Sequence, residues 1–184
     1  MKKIFFCLAA AVAATGLLSC GDDDDDNWKA YEEWRDTNVA WLASQELRTN
    51  ADGTPYYNKV VPAWDSQAYV LIKYFNDRSK TQGNLSPMYT STVNVKYKGC
   101  LYTDEPFDSS YLMTAYGDSI FQTQLSGVIS GWAIALEDMR VGDTCEVVIP
   151  YEYAYGSSGS GSIPPYSTLK FGIKLVDIAG YEIP

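Results

Sequence analysis

At 184 residues, 46% of them hydrophobic, the chain has the material for one packed domain and a modest extension. A net charge of −9 repels phosphate backbones, so nucleic acid is a poor partner. Histidine is absent, which excludes Ser-His-Asp and Cys-His nucleophiles, HExxH zinc sites and imidazole acid–base chemistry.

Lys2 and Lys3 precede Ile4 to Leu18, an apolar stretch of signal-peptide length, shorter than the ~20 residues that span a bilayer. It ends in Leu17-Leu18-Ser19-Cys20, a placement that resembles a bacterial lipobox. Residues 1–19 are therefore read as a leader, which takes Cys7 with it, and Cys20 as the acylated mature N-terminus. Several acyl chains on one residue anchor stably, since each buried CH₂ contributes about 0.8 kcal/mol. The expected location is exported and lipid-anchored to the outer membrane, facing the periplasm or the surface. Asp22 to Asp26 form a charge run that stays solvated. With Cys20 it makes a tether over 20–26, or a tether that doubles as a surface-sorting signal. Cys100 and Cys145 are then the remaining thiols. With no CxxC pair, neither redox chemistry nor a cysteine–zinc site is supported, and no cofactor or metal is expected.

Asn27 to Arg48 predicts a helix, with Asn27 as its N-cap and Glu32 and Glu33 near its positive end. Trp28, Tyr31, Trp34, Val39, Trp41 and Leu42 recur at roughly helical spacing. This aromatic stripe either docks on the chain's own domain or serves as a dimerising or client-holding helix, and its ~20-residue length favours self-docking. The extension runs over 27–55 and closes on the turn residues Asn50-Ala-Asp-Gly53. From 56 onward the pattern turns to strands. Tyr56 to Val61 and Ala68 to Phe75 are short β-prone runs, with a polar surface loop from Asn76 to Pro87.

The main domain, over 56–184, is sharpest between 92 and 178. Thr92 to Gly99 alternates with period two, so one face is buried. Ala133 to Met139 predicts a short helix, Thr144 to Ile149 a strand closed by Pro150, and Ser167 to Ile178 the last strand. Seven short motifs stand in order: Val95-Lys-Tyr-Lys-Gly, Phe107-Asp-Ser-Ser, Val128-Ile-Ser-Gly-Trp, Met139-Arg-Val-Gly, Ala154-Tyr-Gly, Ile163-Pro-Pro and Leu169-Lys-Phe. Each alone is weak, but together they resemble the FKBP family of peptidyl-prolyl cis-trans isomerases. The resemblance implies an α+β fold, a twisted antiparallel sheet wrapped around one short helix, with the N-terminal helix added. In that fold the final strand separates those of Cys100 and Cys145. Strands lie ~4.8 Å apart, so the pair exceeds disulfide reach and both stay free thiols.

The resemblance also implies a site. Trp132 is the floor under a proline ring, and Tyr97, Phe107, Val128, Ile129 and Phe171 are walls. The Ile129 backbone N–H and the Tyr155 hydroxyl donate to substrate carbonyls. Asp108 sits at the rim and orients Tyr97, and Ile163 belongs to a loop that closes over the ligand. Phe121 is unplaced, because Tyr111 to Gly127 is longer than the family spacing. The Ser157 to Ser162 flap is small and polar where many members carry bulkier residues, which loosens contact with substrate. The expected partners are proline-containing polypeptides and macrolides of the rapamycin type. The expected function is prolyl isomerisation that assists folding of exported proteins, by desolvating the X-Pro amide. The alternative is an FKBP-like module that binds clients or a partner with little turnover.

Overall fold

The computed structural model describes residues 23–180; Cys7, Cys20 and the apolar leader lie outside them. Seven strands form one antiparallel sheet: β1 (Asn58–Val60), β2 (Val70–Tyr74), β3 (Thr92–Leu101), β4 (Pro106–Ser109), β5 (Phe121–Gln124), β6 (Thr144–Ile149) and β7 (Leu169–Ala179). Their order is β1-β2-β6-β7-β3-β4, and β5 also pairs with β3. Strand β3 thus has β7 along one side. On the other side β4 pairs with its C-terminal part and β5 with its N-terminal part.

The period-two pattern decides which side chains meet. Val93, Val95, Tyr97 and Leu101 of β3 join Leu169, Phe171, Ile173 and Leu175 of β7 in the main core. Val70 and Ile72 of β2 and Val147 and Ile149 of β6 point the same way, while Leu71 and Val148 point to the opposite face. A helix spanning Ser130–Asp138 packs into the main core through Trp132, Ile134, Ala135 and Leu136. It starts three residues earlier than the propensity of Ala133 to Met139 suggests, so Trp132 falls in its first turn.

The N-terminal extension forms two helices, α1 (Asp23–Ala30) and α2 (Glu32–Glu46), which makes the Ser130–Asp138 helix α3. This corrects the single helix capped at Asn27. Helix α1 begins inside the acidic run, at Asp23, and acidic residues are in general tolerated near the positive end of a helix dipole. The break at Tyr31 has a side-chain partner: Arg35 Nη1 donates to the Trp28 carbonyl at 2.8 Å, and its guanidinium lies 3.5 Å from the centre of the Trp28 ring. The aromatic stripe docks on the chain's own domain. Trp34 and Trp41 pack on Tyr102, Trp34 Nε1 donates to Ser167 Oγ at 3.1 Å, and the Thr168 N–H donates to buried Asn38 Oδ1 at 2.8 Å. Leu42 completes a smaller core with Tyr57, Leu71 and Val148.

The 76–87 segment is more than a surface loop. It contains a 3₁₀ turn over Arg78–Thr81 whose Thr81 is buried. Fully buried Asp143 organises it, accepting from Thr81 Oγ1 at 2.6 Å, Asn76 Nδ2 at 2.9 Å and the Arg140 N–H at 2.9 Å, with Arg78 Nε at 3.2 Å. Burial opposes ionisation of Asp143, but these donors and the Arg78 charge outweigh it and hold the carboxyl below its ordinary value. Asp143→Ala orphans several polar groups at once. We expect a loss of about 3–5 kcal/mol, read by urea unfolding at neutral pH.

Cys100 on β3 and Cys145 on β6 are free and buried, with β7 between their strands. Burial pushes the Cys145 thiol up to about 12, and Asp143 adds to the shift. It is therefore a packing residue, not a nucleophile.

Candidate active site

Strands β3, β4, β5 and β7 and helix α3 converge on one cavity of about 280 Å³. Strand β3 supplies Tyr97, whose backbone is held on both sides by buried Ser110. The Tyr97 N–H donates to Ser110 Oγ at 2.9 Å, and the Ser110 N–H donates to the Tyr97 carbonyl at 3.0 Å. Strand β4 supplies Phe107 and Asp108, with Asp108 opposite Gly99 in the β3 register. The cap and first turn of α3 supply Ile129 and Trp132, and β7 supplies Phe171.

Trp132, 4% exposed, is the floor. Its ring stands nearly perpendicular to those of Tyr97 at 5.0 Å, Phe171 at 5.3 Å and Phe121 at 6.3 Å, all between 79° and 85°. Such edge-to-face pairs add about 0.5–1.5 kcal/mol each beyond burial, so the floor is stiff. Gly99 makes room for the wall. A Cβ there would lie 2.7 Å from both the Phe107 and the Phe171 rings. Gly99→Ala should displace both, with about 1–3 kcal/mol of destabilisation by thermal unfolding and weaker peptide binding.

The polar equipment is sparse. The Tyr97 hydroxyl donates to Asp108 Oδ2 at 2.5 Å. Burial, and then this bond, raise the Tyr97 phenol well above its ordinary 10.0. Tyr155 is 38% exposed at the rim, and its hydroxyl makes no hydrogen bond among the described residues. Burial, with the Asp108 charge second, raises it too. The Ile129 N–H, at the α3 cap, also donates to no acceptor among the described residues. The buried Trp132 Nε1 likewise has no acceptor there. The result is an apolar box with donors at its edge and no nucleophile.

Eight of the nine residues singled out in the sequence line this cavity: Tyr97, Phe107, Asp108, Val128, Ile129, Trp132, Tyr155 and Phe171. Ile163 does not. It is 7% exposed and packed into the core at the stem of the flap, where its N–H and carbonyl both pair with Ser160. Those two bonds close the turn and direct the side chain inward. Phe121, unplaced from the sequence, lines the cavity from β5, opposite Val95, together with Gly127. The flap leans on the N-terminal extension instead, with Asn27 Nδ2 donating to the Ser157 carbonyl at 3.1 Å.

Residues 83–176, just over half of the chain, match the model for the FKBP-type peptidyl-prolyl cis-trans isomerases. The chain belongs to this family. FkpA of Escherichia coli, an FKBP-type isomerase, is 41% identical over 93 residues; these are 50% of this chain and only 33% of FkpA. The FKBP-type 22 kDa isomerase of the same species is 45% identical over 125 residues, covering 58% of this chain and 59% of the relative. FK506-binding protein 2 of Debaryomyces hansenii is 43% identical over 119 residues, covering 64% and 83%. Among solved structures, an isomerase from Pseudomonas syringae superposes with a TM-score of 0.62 at 25% identity, over 80% of this chain and 95% of that one. FkpA superposes with a TM-score of 0.57 at 28% identity, over 85% and 61%. The residues of the FKBP match include every residue that lines the cavity. They leave out the two N-terminal helices.

Proposed function

We propose that this chain is a lipid-anchored peptidyl-prolyl cis-trans isomerase that acts on proline-containing segments of exported proteins. The observation that carries the reading is the 280 Å³ aromatic cavity floored by Trp132, with unengaged donors at Ile129 and Tyr155. The X-Pro amide resists rotation by ~18–20 kcal/mol because resonance keeps it planar. Water supports the charge-separated planar form. Seating the proline ring on Trp132 between Tyr97, Phe107 and Phe171 withdraws that support and favours the twisted amide. The Ile129 N–H and the Tyr155 hydroxyl hold the flanking carbonyls while the bond turns. Asp108 fixes the Tyr97 ring and places a negative charge at the rim. No bond to carbon is made or broken, so the lack of histidine is no handicap.

A second reading, client binding with little turnover, draws on the flap. Residues 158–162 line a polar cleft beside α1 and not the cavity, which leaves the cavity open on that side. A protease-free isomerisation assay on Gly21–Pro184, which contains every helix and strand among the described residues, separates the two. Isomerase action accelerates X-Pro tetrapeptides and is blocked by a rapamycin-type macrolide that fills the cavity. Tight peptide binding without acceleration supports the second reading. The anchor is tested by mass spectrometry: the native chain should begin at an acylated Cys20, and Cys20→Ser should leave the membrane fraction.

A further inference from the structure

Trp64 stands where the fold gives no reason for it. It lies between β1 and β2, 62% exposed. Trp28, Trp34, Trp41 and Trp132 all pack on aromatic rings, whereas Trp64 has neither a ring partner nor a cation partner among the described residues. Tyr89, 54% exposed, is equally without a ring partner there. Leaving two large rings in water is unfavourable, and rings placed together on a surface mark a contact area.

Both rings line a groove of about 420 Å³ together with Val128, Ser130, Ala133 and Glu137. Val128 is the joint, because it also lines the aromatic cavity. A polypeptide with its proline on Trp132 continues in both directions, and one route out of the cavity crosses Val128 into this groove. Glu137 sets the electrostatics. Its carboxylate forms no ion pair or hydrogen bond among the described residues, and it also borders a second hollow of about 290 Å³ on which Trp64 abuts. Charge complementarity therefore favours a cation, and the −9 net charge of the chain adds long-range attraction.

We propose that this groove is an accessory client subsite. It holds the segment of a proline-containing polypeptide that leaves the cavity over Val128, and it selects an apolar, above all aromatic, side chain beside a lysine or arginine. The aromatic side chain packs on Trp64 and Tyr89, and the basic one pairs with Glu137. Binding energy gathered here, remote from the amide that turns, raises capture of long unfolded clients over short peptides. The inference rests on the isomerase reading, and its test keeps the two apart.

The test compares an X-Pro tetrapeptide with the same peptide extended on either side by ~12 residues bearing Phe-Lys, enough to reach ~40 Å when extended. The expected kcat/KM is about 5–10-fold higher for one of the extended peptides. The Trp64→Ser/Tyr89→Ser double variant should lose that gain and keep the tetrapeptide rate within about twofold, since the tetrapeptide ends inside the cavity. Both rings are exposed, so the unfolding temperature should not move. Glu137→Gln should remove the advantage of Phe-Lys over Phe-Gln. If neither extension helps, or if the gain survives in the double variant, the subsite is wrong. If no peptide is accelerated, the isomerase reading fails. The subsite then stands or falls on anisotropy of the labelled extended peptide, whose binding must weaken about fivefold in the double variant.

Discussion

Trp132→Ala should abolish measurable isomerisation and lower the unfolding temperature by about 6–20 °C. The thermal figure follows from a loss of about 3–5 kcal/mol for a buried tryptophan truncated to alanine, at ~2–4 °C per kcal/mol for a domain of this size. The activity figure follows from the geometry. Tyr97, Phe121 and Phe171 all pack edge-to-face with the indole. Removing it takes the floor from under the proline and leaves three walls without a common support. A chain that remains folded at the assay temperature keeps the two effects apart, and Trp132→Leu sharpens the contrast. Leucine restores part of the volume, so stability should recover by more than half while turnover stays at least about tenfold down. Equal recovery of both would mean that the indole is core and nothing more.

The second large effect belongs to the Tyr97–Asp108 pair. Tyr97→Phe and Asp108→Asn should each lower kcat/KM by about tenfold, and the double variant by about 10–30-fold instead of ~100-fold, because both break one hydrogen bond. Stability should change little, since Asp108 is exposed and water takes over its lone pairs. The pH response is a second handle. Burial, reinforced by the Asp108 hydrogen bond, keeps the folded Tyr97 phenol protonated above its ordinary 10.0. Its contribution to stability is therefore complete below pH 10 and declines as pH rises past that value, where only the unfolded chain ionises. Asp108→Asn removes the Asp108 charge and its carboxylate hydrogen bond but not the burial, so this alkaline loss should be shallower in the variant. Spectrophotometric phenol titration beside urea unfolding reads both.

The sequence carried the middle of this molecule better than its ends. Residues such as Val93, Val95, Tyr97, Phe171 and Ile173 announce their inward face through period two, and the strands built on them fall close to their expected bounds. Trp132 and Asp108 were legible through the motifs around them. Phe121 was not, because β5 is only four residues long, follows an irregular segment, and gains its place by pairing with β3 across 26 residues of sequence. Ser110 escaped notice for a related reason: nothing in its neighbourhood reveals that its hydroxyl will fix the Tyr97 backbone. Ile163 misled in the other direction. It stands in a flap motif, yet the Ser160 pairing turns it into the core. The helix start at Asp23 shows how a charge run that favours solvation also suits a helix N-terminus.

Two-dimensional exchange NMR on an X-Pro peptide, with Gly21–Pro184 present at substoichiometric level and the Trp132 indole N–H observed in parallel, tests the central claim most directly. An isomerase built on this cavity should give cis–trans exchange cross-peaks within a second, where the uncatalysed peptide takes tens of seconds or more, and a Trp132 signal that shifts on titration with the same peptide. A Trp132 signal that shifts without exchange cross-peaks would contradict catalysis and leave binding. Exchange with an unmoved Trp132 would contradict the site.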